Sequence, residues 1–228
     1  MRYRFLTWVM RTLVRTVLFG GLFKAYGKKN VPRKGPLIIC PNHAGSVDPP
    51  LVPAYTPRKD VWSMAKSEYF KNPKISWWFI WYNAFPVVRH SADRAALRKC
   101  FDLLNAGRSL LIYPEGTRTP EGVLVKPEPG AGFIAQKAGC PVVPVALVGT
   151  RTILPKGTKW PHRNRVSMTF GKPFRVETKR PDGTRIGHQE ASDAIMLHIA
   201  ELLPPEMRGA FADLEAERKR LEGVTTPL

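Results

Sequence analysis

Asn42-His43-Ala44-Gly45-Ser46-Val47-Asp48 places a histidine and an aspartate with four residues between them, and Tyr113-Pro114-Glu115-Gly116-Thr117-Arg118-Thr119 supplies a second polar cluster. A neutral imidazole can take a proton from an alcohol. An aspartate beside it fixes the ring tautomer and stabilises the imidazolium that forms. Neither segment carries a serine or cysteine in a nucleophile arrangement, so the alcohol to be activated belongs to the substrate. The chemistry that fits is transfer of an acyl group onto a hydroxyl, with His43 as base and Asp48 as its partner.

The elements that would position these groups are legible in part. The apolar run Leu37 to Cys40, bounded by Gly35-Pro36 and Pro41, predicts a buried strand that delivers the His43 loop. Asp48-Pro49 reads as an N-cap followed by a first helical residue, a role compatible with facing His43 because Gly45 and Ser46 let the chain turn. A continuous helix across this stretch would set the two side chains about 140° apart. Further strands are expected at 61–65, 85–88, 109–113, 142–147 and 166–170, and helices at 93–106 (stopped by Gly107), 130–138 (stopped by Gly139), 189–203 and 206–221. This alternation predicts an α/β fold: a single domain with a central, mostly parallel sheet flanked by helices, plus an N-terminal amphipathic helix. In such sheets ligands bind beyond the strand ends, where His43 and Glu115 fall.

With 36 Lys and Arg against 18 Asp and Glu, the 228-residue chain carries a formal charge of +18, which calls for a polyanionic partner. No nucleic-acid recognition motif accompanies it, so nucleic acid is not expected. The three cysteines, Cys40, Cys100 and Cys140, are far apart and lack metal-ligand spacing; buried free thiols are expected, with no disulfide framework and no metal site.

Residues 1–30 are rich in apolar side chains and carry Arg2, Arg4, Arg11, Arg15, Lys24, Lys28 and Lys29 without one acidic residue. Two arginines in mid-segment oppose spanning a bilayer, at roughly 2.5 to 3.5 kcal/mol each. An amphipathic helix lying on an anionic membrane fits, and docking onto the core is the competing role. The aromatic stretch Ile75 to Phe85 suits lipid contact, an acyl channel or ordinary packing, and the basic run 151–185 suits lipid headgroups, the phosphates of coenzyme A or a solvated surface.

Four blocks in order, the His and Asp of NHAGSVD, FPVVR ending at Arg89, YPEGTRT and CPVVPVAL, resemble the phospholipid and glycerol acyltransferases, specifically the 1-acyl-sn-glycerol-3-phosphate acyltransferases, over about residues 30–175. The resemblance implies that His43 is the general base and Asp48 its orienting partner. It further implies that Arg89, Glu115, Gly116, Thr117 and Arg118 bind the glycerol phosphate, and that Pro141, Val142, Val143 and Pro144 form the acyl or site wall. Planar guanidinium forks suit a phosphate monoester, and Glu115 would hold an arginine or a substrate hydroxyl.

On this reading residues 1–30 form the membrane-associating helix, 31–203 the acyltransferase domain and 204–228 a C-terminal helical tail. The expected reaction moves an acyl chain from acyl-CoA or acyl carrier protein, as co-substrate and without any cofactor, to the sn-2 hydroxyl of lysophosphatidate. The expected location is the cytoplasmic face of the cell membrane, peripheral or monotopic. Alternatives are another lysolipid or an amino-acid-derived lipid as acceptor, and a non-catalytic module that binds anionic membranes.

Overall fold

The computed structural model describes residues 2–14, 22–88, 93–119, 121–155, 158 and 160–228. The chain runs α1 (Arg2–Leu13), β1 (Phe23–Tyr26), β2 (Leu37–Pro41), α2 (Asp48–Tyr55), β3 (Val61–Lys66), α3 (Glu68–Lys71), α4 (Pro73–Trp81), β4 (Ala84–Val87) and α5 (Arg94–Asn105). It continues through β5 (Ser109–Leu111), α6 (Gly130–Ala138), β6 (Val142–Val148), β7 (Val166–Phe170), β8 (Phe174–Val176), α7 (His188–Ala200), α8 (Leu214–Arg220) and β9 (Thr225–Pro227). The strands lie in the order β1-β7-β6-β2-β5-β3-β4, with β8 paired to β6 and to β9.

β2, β3, β4, β5 and β6 are joined by parallel pairings, and β6 meets β7 and β8 antiparallel. Alternation along the central strands fills both faces. Leu37, Ile39, Val143, Val145 and Leu147 pack with α1 and α2, whereas Ile38, Cys40, Val142 and Ala146 pack with α5, α6 and α7. The expected α/β fold, a central, mostly parallel sheet flanked by helices, is therefore what the chain forms.

Local signals explain most boundaries. Asp93 caps α5, accepting the Ala96 amide at 2.9 Å, and Gly139 closes α6 in the left-handed region at φ 58°. All three cysteines are buried and free.

Both termini differ from expectation. The N-terminal helix does not extend over 1–30, because Phe23–Tyr26 add to the sheet edge beside β7. Phe23 and Ala25 turn to the core while Lys24 and Tyr26 stay out, a period of two that four residues announce too briefly to stand out. The part of the expected helix that includes Arg15 lies outside the described residues. The expected C-terminal tail is helical only in short pieces, the 3-10 turns Pro205–Met207 and Gly209–Phe211 and the two-turn α8, and it ends in a strand. Phe211, Leu221 and Val224 join the core, and β9 extends the sheet through β8.

Candidate active site

β2 enters the sheet core fully buried, and the chain leaves it at Asn42. There the Asn42 side chain replaces the ladder, donating from Nδ2 to the Leu147 carbonyl at 3.0 Å and accepting the Leu147 amide on Oδ1 at 2.7 Å. This pins the end of β2 to β6 and fixes the point from which His43 departs.

His43 is held on every side. Its amide donates to Glu115 Oε1 at 2.7 Å, its carbonyl accepts from the Thr119 amide at 3.0 Å, and its ring stacks on Tyr113 with centroids 4.2 Å apart. Nδ1 meets Asp48 Oδ2 at 3.0 Å. A carboxylate only accepts, so Nδ1 carries the proton and the lone pair lies on Nε2. Among the described residues Nε2 has no hydrogen-bond partner, which leaves it free to receive a proton from a substrate.

Asp48 is 0 % exposed, and its Oδ2 also accepts the amides of Ala44 at 2.9 Å and Gly45 at 2.7 Å. It is the first residue of α2 rather than its N-cap: Val47 occupies that position, and no side chain caps the helix. The carboxylate instead turns back to close the loop that brings histidine and aspartate together. That loop is tight because a Cβ on Gly45 would come within 2.6 Å of the Thr150 carbonyl oxygen.

The second polar cluster divides by depth. Glu115 is 3 % exposed and braces the His43 main chain; no arginine reaches it among the described residues, and its Oε2 is buried without a partner there. Burial raises its pKa from 4.5 to about 7. Between those values the folded carboxyl holds a proton that the unfolded one has lost, so stability falls as pH rises through this window. Glu115→Gln is expected to flatten that slope, worth about 3 kcal/mol across it, in melting curves recorded from pH 4.5 to 8.

Gly116, at φ 68°, makes the turn, with its amide on the Tyr113 carbonyl at 3.0 Å. Thr117 and Arg118 are exposed, and Arg118 forms no ion pair among the described residues, so its guanidinium is available to an anion. Arg89 lies outside the described residues. Pro141 to Pro144 are not at the rim: Val142, Val143 and Pro144 lie beside Ile38, Ile39 and Cys40 in the sheet interior, and the β6 residue at the level of the His43 loop is Leu147. Their apolar, β-branched character serves the central strand.

Asn42, Tyr113 and Thr119 stand inside the two motifs but carry no role on sequence grounds, and the loop at Thr150 lies outside any motif. Among the described residues no three His, Cys, Asp or Glu side chains converge to hold a metal ion.

The arrangement is a base with a free nitrogen, oriented by a buried carboxylate, at the carboxyl end of a central strand. The family model described as Acyltransferase matches residues 22–148, which include both the His43–Asp48 loop and the Glu115 turn. The chain belongs to the acyltransferase family. This acyltransferase is 32% identical over 157 residues to the 1-acyl-sn-glycerol-3-phosphate acyltransferase of Bacillus subtilis (strain 168), an alignment covering 69% of this chain and 75% of that one. It is 27% identical over 199 residues to a 1-acyl-sn-glycerol-3-phosphate acyltransferase of Chlamydomonas reinhardtii, covering 85% of this chain and 56% of that one. The crystal structure of the 1-acyl-sn-glycerophosphate (LPA) acyltransferase PlsC from Thermotoga maritima superposes with a TM-score of 0.63 over 89% of this acyltransferase and 98% of that chain. At 22% identity the likeness to it is one of fold.

Proposed function

We propose that this acyltransferase moves an acyl chain from an acyl thioester, carried by coenzyme A or acyl carrier protein, to the sn-2 hydroxyl of 1-acyl-glycerol-3-phosphate, making phosphatidate for phospholipid synthesis. The names of the relatives support the acceptor, and the bond between His43 Nδ1 and buried Asp48 supports the chemistry. His43 Nε2 takes the hydroxyl proton as that oxygen attacks the thioester carbonyl carbon. The tetrahedral adduct then collapses, the carbon–sulfur bond breaks, and the thiolate leaves and collects the proton from the imidazolium. No acyl-enzyme forms. General-base help of this kind supplies about 10² to 10⁴ in rate, and positioning supplies much of the rest. Exposed Arg118, with Arg89, suits the acceptor phosphate.

The test is a panel of lysolipid acceptors against acyl-CoA and acyl carrier protein thioesters, reading thiol release together with acylated product. Preference for lysophosphatidate supports the reading; preference for another acceptor moves the enzyme elsewhere within its family.

The same reading places the enzyme peripherally on the cytoplasmic face of an anionic membrane. No helix among the described residues is long and apolar enough to cross a bilayer. Phe5, Trp8 and Leu13 of α1 and Ile75, Trp77 and Ile80 of α4 are exposed, with Trp8 at 61% and Ile80 at 57%. Basic residues of α1 stand among them. Burying one such side chain is worth about 1.5 to 3 kcal/mol, so the pair Trp8→Ser and Ile80→Ser is expected to weaken binding to anionic vesicles by more than tenfold in a sedimentation assay.

A further inference from the structure

The helix that carries Asp48 is poorly equipped to hold its own position. α2 has only eight residues, and although Pro49 and Pro50 suit its first turn, Pro53 inside it lacks an N–H and leaves the Pro49 carbonyl out of the helical ladder. Three other carbonyls of the helix are bound from outside. Tyr82 donates its hydroxyl to the Pro50 carbonyl at 2.6 Å, Tyr3 donates to the Pro53 carbonyl at 3.5 Å, and Arg11 Nε donates to the Ala54 carbonyl. The last two serve the C-terminal turn, where helix carbonyls lack internal partners and where the charge of Arg11 complements the helix dipole.

These three side chains come from two segments. Tyr3 and Arg11 belong to α1, and Tyr82 caps α4. The segments are themselves joined: the Tyr3 and Tyr82 rings meet edge-to-face at 6.0 Å, and the Arg2 guanidinium lies 5.1 Å over the Trp81 ring. Their outer faces carry the exposed Trp8, Trp77 and Ile80. The two helices that present apolar surface outward are thus the ones whose inner faces grip the Asp48 helix. Burial raises the proton affinity of the Tyr82 phenol well beyond the usual tyrosine range, so its donor persists at any assay pH.

We propose that Tyr82, helped by Tyr3 and Arg11, is a positioning residue that holds α2 so that Asp48 stays on His43, and that seating α1 and α4 on an anionic lipid surface tightens this hold and raises turnover. The proposal rests on the acyl-transfer and membrane readings above. None of the three side chains bonds to His43 or Asp48; their effect passes through α2.

Tyr82→Phe keeps the ring and removes only the donor, and Arg11→Gln provides a second, more exposed perturbation. Each is compared with the wild type on short-chain, water-soluble acyl-CoA and 1-acyl-glycerol-3-phosphate, with and without vesicles of phosphatidylcholine and phosphatidylglycerol. Vesicle sedimentation and hydrogen exchange of the α2 amides are followed in parallel. Vesicles are expected to raise wild-type kcat and slow exchange in α2. Tyr82→Phe is expected to bind vesicles and acceptor as the wild type does, with KM unchanged, but to lose about tenfold in kcat, the scale of one buried hydrogen bond, and to lose the stimulation. Wild-type kcat and stimulation in both variants, or α2 exchange in the wild type that ignores vesicles, would overturn the proposal. Absence of turnover with every thioester would instead defeat the acyl-transfer reading, and the α2 exchange would still decide the positioning role.

Discussion

His43→Ala is expected to lower kcat by about 10² to 10⁴, the usual contribution of a positioned general base, while KM for both substrates changes little. The ring is the only part of the residue that the proposed chemistry uses. What holds the loop in place is the main chain, through the amide on Glu115 and the carbonyl on Thr119, and alanine retains both bonds. The variant should therefore fold, with a modest loss from the vacated stacking partner of Tyr113. A fall in kcat without a matching rise in KM identifies an interaction made in the transition state rather than in substrate binding.

Asp48→Asn is expected to hurt twice. An amide of the same size cannot supply the negative charge that stabilises the imidazolium, and kcat should fall by about 10² or more. The buried Oδ2 also gathers three donors, from His43, Ala44 and Gly45. An asparagine that turns its oxygen to those donors puts an NH₂ group at the position of Oδ1, which is buried without a partner among the described residues, at a cost of about 1 to 3 kcal/mol. Both the kinetic loss and a lowered melting temperature are therefore expected, which separates this variant from His43→Ala. Loss of stability alone, with normal kcat in the folded fraction, would reduce Asp48 to a loop brace.

The features legible in the sequence are those that depend on neighbours in the chain. The apolar run bounded by Pro41 and the glycines after α5 and α6 announce their elements within a few residues, and the alternation of strands and helices follows from them. The His43–Asp48 contact was readable because a five-residue separation limits what a loop can do. Contacts between distant segments were not. Nothing near Asn42 points to Leu147, and nothing in the Glu115 turn shows that its carboxylate braces the His43 amide instead of facing an arginine. The role of Asp48 shifted for a related reason: an Asp-Pro pair signals a helix start in isolation, but three donors from the preceding loop compete for the carboxylate and win. At the N-terminus, apolar and basic residues in company suggested one amphipathic helix. The structure shows that Arg11 reaches inward to α2 and that Phe23–Tyr26 form an edge strand.

On the proposed mechanism an acceptor hydroxyl, activated by His43, attacks the thioester directly. The most direct measurement is the ratio of phosphatidate formed to thiol released by the wild-type enzyme, with and without 1-acyl-glycerol-3-phosphate, beside folded His43→Ala. A ratio of about one is expected, with thiol release that depends on the acceptor and loss of both products in the variant. Thiol release that proceeds without acceptor, or product formed equally well without the imidazole, would contradict it.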